Sequence, residues 1–188
     1  MRIFIALDIP GEIHRRMIEY TERVRALAPE ARWARPEGLH VTLKFIGETS
    51  DDRVAQIKNV LTGVKATPFE VKFGGVGFFP GAKSPRVFWI GVEGGEVLTR
   101  LATAIDQQIS TLGFPREERA FSPHLTLART GSAPGSQHQL KPLASLLQGE
   151  APPQFGTMTA QEFFMYRSQP QRGGSKYTKL EKFVLTGN

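Results

Sequence analysis

The spacing of apolar residues divides the chain into short strands and amphipathic helices. Ile3, Ile5 and Leu7 alternate with their neighbours, which predicts a strand over 2–8. Apolar residues at helical spacing predict helices over 12–27, 51–64, 97–112 and 140–147. Further apolar runs predict strands over 32–35, 39–46, 69–79, 87–92, 124–129, 155–167 and 177–185. Polar stretches rich in glycine or proline predict loops over 80–85 and 168–175.

Two of the predicted strands carry nearly the same motif. The first contains His-Val-Thr-Leu at 40–43, and the second contains His-Leu-Thr-Leu at 124–127. A helix precedes each motif strand, and a helix, a strand, a loop and a strand follow it. This order predicts a duplicated α+β unit, too long for a solenoid repeat. A pseudo-two-fold axis between the halves would bring His40 and His124 to one cleft.

The paired motif is suited to phosphoryl chemistry. Residues i and i+2 of a strand point to the same face, so each motif projects an imidazole and a hydroxyl together. A neutral His can take a proton from water and a protonated His can give one to a leaving oxygen, since the imidazole pKa is about 6.5. The hydroxyls of Thr42 and Thr126 can donate hydrogen bonds to phosphate oxygens.

Two alternatives stay open from the residues alone. Duplication could preserve a purely structural histidine twice. The two histidines could also bind zinc, although catalytic zinc usually takes three protein ligands and no carboxylate motif accompanies His40 and His124.

Composition and charge narrow the class of protein. The chain has 188 residues and no cysteine, which excludes disulfides and thiolate catalysis. The net charge of +6 favours a polyanionic partner such as RNA, or serves solubility alone. No apolar run approaches the roughly 20 residues that span a membrane, and the N-terminal MRIFIALDIP is predicted to be a strand rather than a secretory signal. We therefore expect a cytoplasmic protein, and nothing in the sequence calls for more than a monomer.

Longer strings around the motifs resemble a known family. Similar strings occur in sequences of the 2H phosphoesterase superfamily: ALDIP at 6–10, LHVTLKFIGE at 39–48, PHLTLAR at 123–129, Tyr-Arg-Ser at 166–168 and GGSKYTKLEKF at 173–183. Within it, the chain resembles the bacterial and archaeal RNA 2′,3′-cyclic phosphodiesterases, once named 2′-5′ RNA ligases, from residue 2 to about 186. The resemblance implies one bilobal α+β domain over 1–188. It implies two antiparallel sheets lining a central cleft, helices outside, and intertwined motif lobes around 39–92 and 123–186.

The resemblance also implies an activity. RNA with a 2′,3′-cyclic phosphate end, or a small cyclic nucleotide, would be hydrolysed to a 2′-phosphate without a metal or other cofactor, with weak reversible 2′-5′ ligation. His40 would protonate the leaving O3′, His124 would activate water, and Thr42 and Thr126 would hold the phosphate. The alternative is an RNA-end binding protein, or a 2′-5′ RNA ligase without a significant hydrolase role.

Three further residues are candidate nucleoside contacts. Phe45 and Arg129 each lie five residues after their histidine and could flank a base by stacking and cation–π contact. An ideal strand would turn both away from the histidine face, so this role requires a bulge or a strong twist. Otherwise Phe45 belongs to the core with Val41 and Leu43, and Arg129 lies on the surface. Tyr177 follows the glycine-rich loop and could close over substrate.

Three other polar residues have weaker assignments. Lys44 shares the predicted face of His40 and could steer phosphate or be solvated. Surface positions are predicted for His14 and His138.

Overall fold

Residues 1–171 and 174–187 are described by the computed structural model, in which nine strands and four α-helices form the fold. The strands are β1 (Arg2–Leu7), β2 (Arg32–Trp33), β3 (Val41–Glu48), β4 (Phe69–Phe79), β5 (Val87–Glu93), β6 (His124–Arg129), β7 (Gln154–Ala160), β8 (Glu162–Gln171) and β9 (Gly174–Val184). The helices are α1 (Gly11–Arg25), α2 (Asp51–Leu61), α3 (Gly95–Ser110) and α4 (Lys141–Leu147). None of the described helices is long and apolar enough to cross a membrane.

The strands form two antiparallel sheets, which confirms the predicted α+β class. The smaller sheet has the order β3-β1-β8-β9, and the larger has the order β2-β6-β5-β4-β7. Neighbouring strands run antiparallel, and β4–β5 and β8–β9 are hairpins.

The sheets do not follow the two sequence halves. The first motif strand, β3, pairs with β1, whereas β4 and β5, which come after β3, belong to the sheet of the second motif strand, β6. The segments 39–92 and 123–186 therefore each contribute strands to both sheets. As a result β3 and β6 lie against each other although they belong to different sheets.

The prediction of one strand over 155–167 is wrong. β7 ends at Ala160 and β8 begins at Glu162, and the two strands belong to different sheets. The exposed Gln161 is the only residue between them. The break is hidden in the sequence because Phe155 and Ala160 are buried in one sheet and residues 163–166 are all buried in the other.

The prediction of a loop over 168–175 is also wrong for the described residues. Ser168 pairs with Tyr177, and Gln171 pairs with Gly174, so β8 and β9 extend through the described part of this polar stretch. The side chains at 168–171 and 175 are exposed or half-buried, which accounts for their polarity. Residues 172 and 173 of the predicted loop lie outside the described residues.

The central strand β1 is buried on both of its faces. Ile3, Ile5 and Leu7 join the main core, whereas Phe4 and Ala6 join a smaller cluster with Phe164 and Tyr166 on the other face. Amphipathic helices cover the main core; α1, for example, buries Ile13, Met17, Tyr20 and Val24. The smaller cluster is left uncovered by these helices and forms one wall of the site described below.

A buried ion pair connects the two halves of the chain. Lys44 of β3 is only 7% exposed, and its Nζ donates to Asp106 Oδ1 of α3 at 2.6 Å and to the Pro115 carbonyl at 2.9 Å. Asp106 also accepts from Arg116 Nε and from the Glu117 N–H. Burial raises the pKa of Asp106, but these hydrogen bonds outweigh it and leave the pKa below its usual range. The expectation that Lys44 steers phosphate or is solvated is therefore wrong.

We predict that Asp106→Ala lowers the free energy of unfolding by about 3–5 kcal/mol, because it leaves the Lys44 ammonium buried without a counter-charge. Urea denaturation measures this change. The control is Glu96→Ala, which breaks the exposed Glu96–Arg100 pair at 3.9 Å and should cost at most about 1 kcal/mol. Equal losses in the two variants would contradict the structural role of Asp106.

Candidate active site

The two motif strands share a β-bulge at the same position. In β3, Ile5 of β1 pairs with Lys44 and Ala6 pairs with Thr42, so Leu43 has no partner. In β6, Phe88 of β5 pairs with Ala128 and Trp89 pairs with Thr126, so Leu127 has no partner. Each bulge lies three residues after the motif histidine. The extra residue shifts the alternation of faces in both strands by one position.

The bulges turn Phe45 and Arg129 toward the histidine face. Beyond the bulge, Lys44 and Ala128 are buried, and the next residues, Phe45 and Arg129, are exposed. Phe45 is 73% exposed and is not part of the core with Val41, so the core alternative is wrong for Phe45. Arg129 is exposed, as its surface alternative predicted. The bulge that the nucleoside-contact alternative required is present in both copies.

Aromatic rings surround His40. This histidine comes directly before β3 and is half-buried. Its ring lies 4.6 Å from the ring centroid of Tyr166, 5.4 Å from that of Tyr177 and 5.8 Å from that of Phe4. Phe4 in turn stacks on Tyr166 and lies 6.1 Å from the Phe45 ring. The structure therefore brings His40, Tyr177 and Phe45 around one aromatic cluster.

A carboxylate lies behind this cluster. Asp8, which follows β1, accepts hydrogen bonds from the Tyr166 hydroxyl and from Lys179 Nζ. Burial raises the pKa of Tyr166, and the hydrogen bond to Asp8 adds to that rise, so Tyr166 keeps its proton and acts as the donor. Asp8, Tyr166 and Lys179 line a cleft of about 620 Å³ together with His14, His40 and Tyr177.

Opposing influences act on the charge of His40. Burial of the ring lowers the pKa of His40 below that of an ordinary histidine. A hydrogen bond to the Gly38 backbone and the negative charge of Asp8 raise the pKa, whereas His14 and Lys179 lower it further. In the free protein the net result favours the neutral imidazole.

The turn over Pro36–Gly38 lies just before the first motif and interacts with His14, His40 and Tyr177. His14 Nε2 donates to the Pro36 carbonyl at 2.6 Å, and His40 bonds to the backbone at Gly38. A Cβ on Gly38 would lie 3.1 Å from Tyr177 Cε2, so glycine lets the Tyr177 ring pack closely on this turn. His14 is thus half-buried and hydrogen-bonded rather than a plain surface residue, whereas His138 is exposed as predicted.

His124, the first residue of β6, is also oriented by a backbone carbonyl. Its Nδ1 donates to the Ser122 carbonyl at 2.7 Å, so in the neutral ring Nε2 is the unprotonated nitrogen. The partner is two residues before the histidine, as Gly38 is for His40. Phe79 meets the His124 ring edge-on at 4.9 Å and packs on Trp89 at 5.2 Å.

The two motif threonines are half-buried beside their histidines. Thr42 pairs with Ala6 of β1, and Thr126 pairs with Trp89 of β5. Arg129 Nη2 donates to Thr126 Oγ1 at 3.4 Å, which places a positive charge next to this hydroxyl. The second motif therefore offers an imidazole, a hydroxyl and a guanidinium on one face.

Sequence reasoning missed four residues that support the histidines: Phe4, Asp8, Phe79 and Tyr166. A signal for two of them was available, since Asp8 lies in the string ALDIP and Tyr166 in the tail string Tyr-Arg-Ser, both part of the family resemblance.

Within 1–171 and 174–187, no three His, Asp or Glu side chains form a group that could hold a metal ion.

Comparisons with known proteins agree with the duplicated architecture. The sequence matches the LigT-like phosphoesterase family twice in succession, over 7–89 and 90–177. It is 32% identical over 183 residues to the RNA 2′,3′-cyclic phosphodiesterase of Archaeoglobus fulgidus, covering 97% of this chain and 99% of that protein.

Solved structures show the same fold. A crystal structure of a Thermus thermophilus protein covers 100% of this chain, and this chain covers 99% of it, with a TM-score of 0.79 and 29% identity. The crystal structure of E. coli LigT complexed with 3′-AMP is similar, with a TM-score of 0.77 and 28% identity over 98% of each chain.

We predict that two variants shift the pKa of His40 in opposite directions. Asp8→Asn should lower it, because a negative charge is removed, and Lys179→Met should raise it, because a positive charge is removed. NMR titration of the imidazole resonances measures both shifts, with the exposed His138 as an internal reference. Shifts of the same sign in the two variants would contradict this electrostatic account.

Proposed function

Because the chain belongs to the LigT-like phosphoesterase family, we propose that it hydrolyses RNA 2′,3′-cyclic phosphate ends with His40 and His124 as an acid–base pair. One observation carries the proposal. Two strands with the same histidine, threonine and bulge lie against each other, although they come from different sheets. The identity of 32% to an RNA 2′,3′-cyclic phosphodiesterase over nearly the whole chain supports the substrate class.

In the proposed reaction, His124 Nε2 takes a proton from water as the water oxygen attacks phosphorus. The P–O3′ bond breaks, and His40 donates its proton to O3′, which leaves a 2′-phosphate and a 3′-hydroxyl. Thr42 and Thr126 donate hydrogen bonds to the non-bridging oxygens, where negative charge develops. Arg129 adds a positive charge through its contact with Thr126.

The surroundings of each histidine support its proposed role. The Ser122 carbonyl holds the proton of His124 on Nδ1, so Nε2 of the neutral ring is free to act as a base. The Asp8 charge and the Gly38 hydrogen bond favour the imidazolium form of His40, and a bound phosphate adds to that effect. Burial lowers the pKa of His40, which makes its imidazolium a stronger acid toward the leaving oxygen.

Phe45 and Tyr177 are proposed to contact the nucleoside. Phe45 is exposed beside Phe4, and Tyr177 stands edge-on to His40, so both rings are available next to the reacting group. Aromatic side chains of this kind stack on unpaired RNA bases. A nucleotide, 3′-AMP, is bound in the structure of the related E. coli LigT, which supports a nucleoside site in this fold.

A 5′-hydroxyl of a second RNA could replace water in the same geometry. We therefore include weak, reversible 2′-5′ ligation as a side reaction. We also propose that the protein is cytoplasmic, monomeric and made of a single domain. The competing function is binding of RNA ends without turnover, for which the net charge of +6 is the supporting observation.

We predict that His40→Ala and His124→Ala each reduce turnover of an RNA oligomer with a 2′,3′-cyclic end by about 10²–10⁴-fold, the usual contribution of a general acid or base. The product should carry a 2′-phosphate, and EDTA should have no effect. His138→Ala is the matched control because His138 is exposed and outside the site. Tight binding of unchanged RNA by the wild type would favour the end-binding function instead.

We further predict a bell-shaped pH dependence of kcat/KM, since one histidine must be charged and the other neutral. The limb that belongs to His40 should lie at lower pH than an ordinary histidine would give, because burial lowers the pKa of His40 in the free protein. In the profile of kcat the same limb should lie at higher pH, because the bound phosphate raises the pKa of His40.

Asp8→Asn tests which limb of the profile belongs to His40. Loss of the Asp8 charge should move one limb of kcat/KM to lower pH and leave the other in place. A profile with both limbs unchanged would contradict the electrostatic account of His40.

A further inference from the structure

Two arginines stand directly opposite each other at one edge of the larger sheet. Arg32 of β2 pairs in register with Arg129 of β6, and both are exposed. Like charges at directly opposed positions on neighbouring strands destabilise a sheet. A bound anion between the two guanidinium groups would remove this repulsion.

Neither guanidinium is neutralised within the described part of the chain. Arg32 Nη2 donates to the Thr130 carbonyl and Arg129 Nη2 donates to Thr126 Oγ1, both at 3.4 Å, and neither arginine forms an ion pair with a described residue. Both bonds are longer than the usual range of about 2.7–3.2 Å, so most of the five donors of each group are unused. Free donors of this planar fork match the oxygens of a phosphate.

The short strand that carries Arg32 is firmly held. Trp33 Nε1 donates to the Ala28 carbonyl at 2.8 Å, and the Trp33 ring packs edge-on against Phe88 at 6.0 Å. The Ala34 N–H donates to the Leu127 carbonyl, at the bulge of β6, at 2.7 Å. Arg32 is therefore presented from a fixed backbone one strand beyond Arg129.

The two arginines extend the proposed phosphate site toward the sheet edge. Thr126 is proposed to hold the reacting phosphate, Arg129 reaches back to it, and Arg32 lies beyond Arg129. We propose that Arg32, together with Arg129, binds the next phosphodiester of an RNA strand, the one on the 5′ side of the terminal nucleotide. The preferred substrate is then an RNA chain rather than a cyclic mononucleotide, an inference that rests on the proposed function.

The test compares a dinucleotide ending in a 2′,3′-cyclic phosphate with 2′,3′-cyclic AMP, which lacks the second phosphate. Arg32→Gln should reduce kcat/KM about tenfold more for the dinucleotide than for the mononucleotide. It should also reduce the salt dependence of the dinucleotide KM by about 0.7 in the log–log slope, the value for one phosphate contact on a single strand. Arg100→Gln is the matched control, since it removes the same charge from an exposed site on α3.

Equal losses for the two substrates, or equal effects of Arg32→Gln and Arg100→Gln, would overturn the proposal. If the wild type hydrolyses neither substrate, the proposed function fails. A binding measurement then tests whether Arg32 contacts RNA. Fluorescence anisotropy with a labelled dinucleotide 2′-phosphate should show weaker binding by Arg32→Gln than by Arg100→Gln. Unchanged affinity in that measurement would show that this edge does not bind RNA.

Discussion

An unpaired residue at the same place in both motif strands sets the geometry of the whole site. Side chains of a regular strand alternate between faces, so a histidine and the residue five positions later point in opposite directions. The bulges at Leu43 and Leu127 shift this alternation by one residue. His40 then shares a face with Phe45, and His124 shares a face with Arg129. The same shift buries the fourth residue after each histidine, Lys44 in one copy and Ala128 in the other.

Burial of Lys44 couples the first motif to the second. Its ammonium is neutralised by Asp106 and bound by the Pro115 carbonyl, and Asp106 also holds the backbone at Glu117. This segment leads directly to Ser122 and His124. Lys44, which the first bulge turns inward, therefore fixes the connector that leads to His124. The positions of the two motifs thus depend on each other.

Local patterns accounted for the helices, most strands and the paired motif, because these depend on short-range periodicity. The sequence could not predict on which face of β3 Phe45 and Lys44 lie. A bulge is a mismatch between two strands, and β3 has no glycine or proline next to Leu43 to mark it. The break between β7 and β8 was missed because burial in two different sheets gives one uninterrupted apolar pattern. Asp8 was missed because its partners, Tyr166 and Lys179, are distant in sequence and meet it only through the pairing of β1, β8 and β9.

Duplication supplies two equivalent histidines, but acid–base catalysis requires them to differ. The difference arises outside the motifs, in the strands that each motif happens to join. β3 lies beside β1 and β8, whose residues place Phe4, Tyr166 and the Asp8 carboxylate around His40. β6 lies beside β5, whose hairpin partner β4 ends in Phe79 at the edge of His124. Exchange of strands between the halves thus gives two nearly identical motifs different neighbours, and in the proposed mechanism those neighbours distinguish the acid from the base.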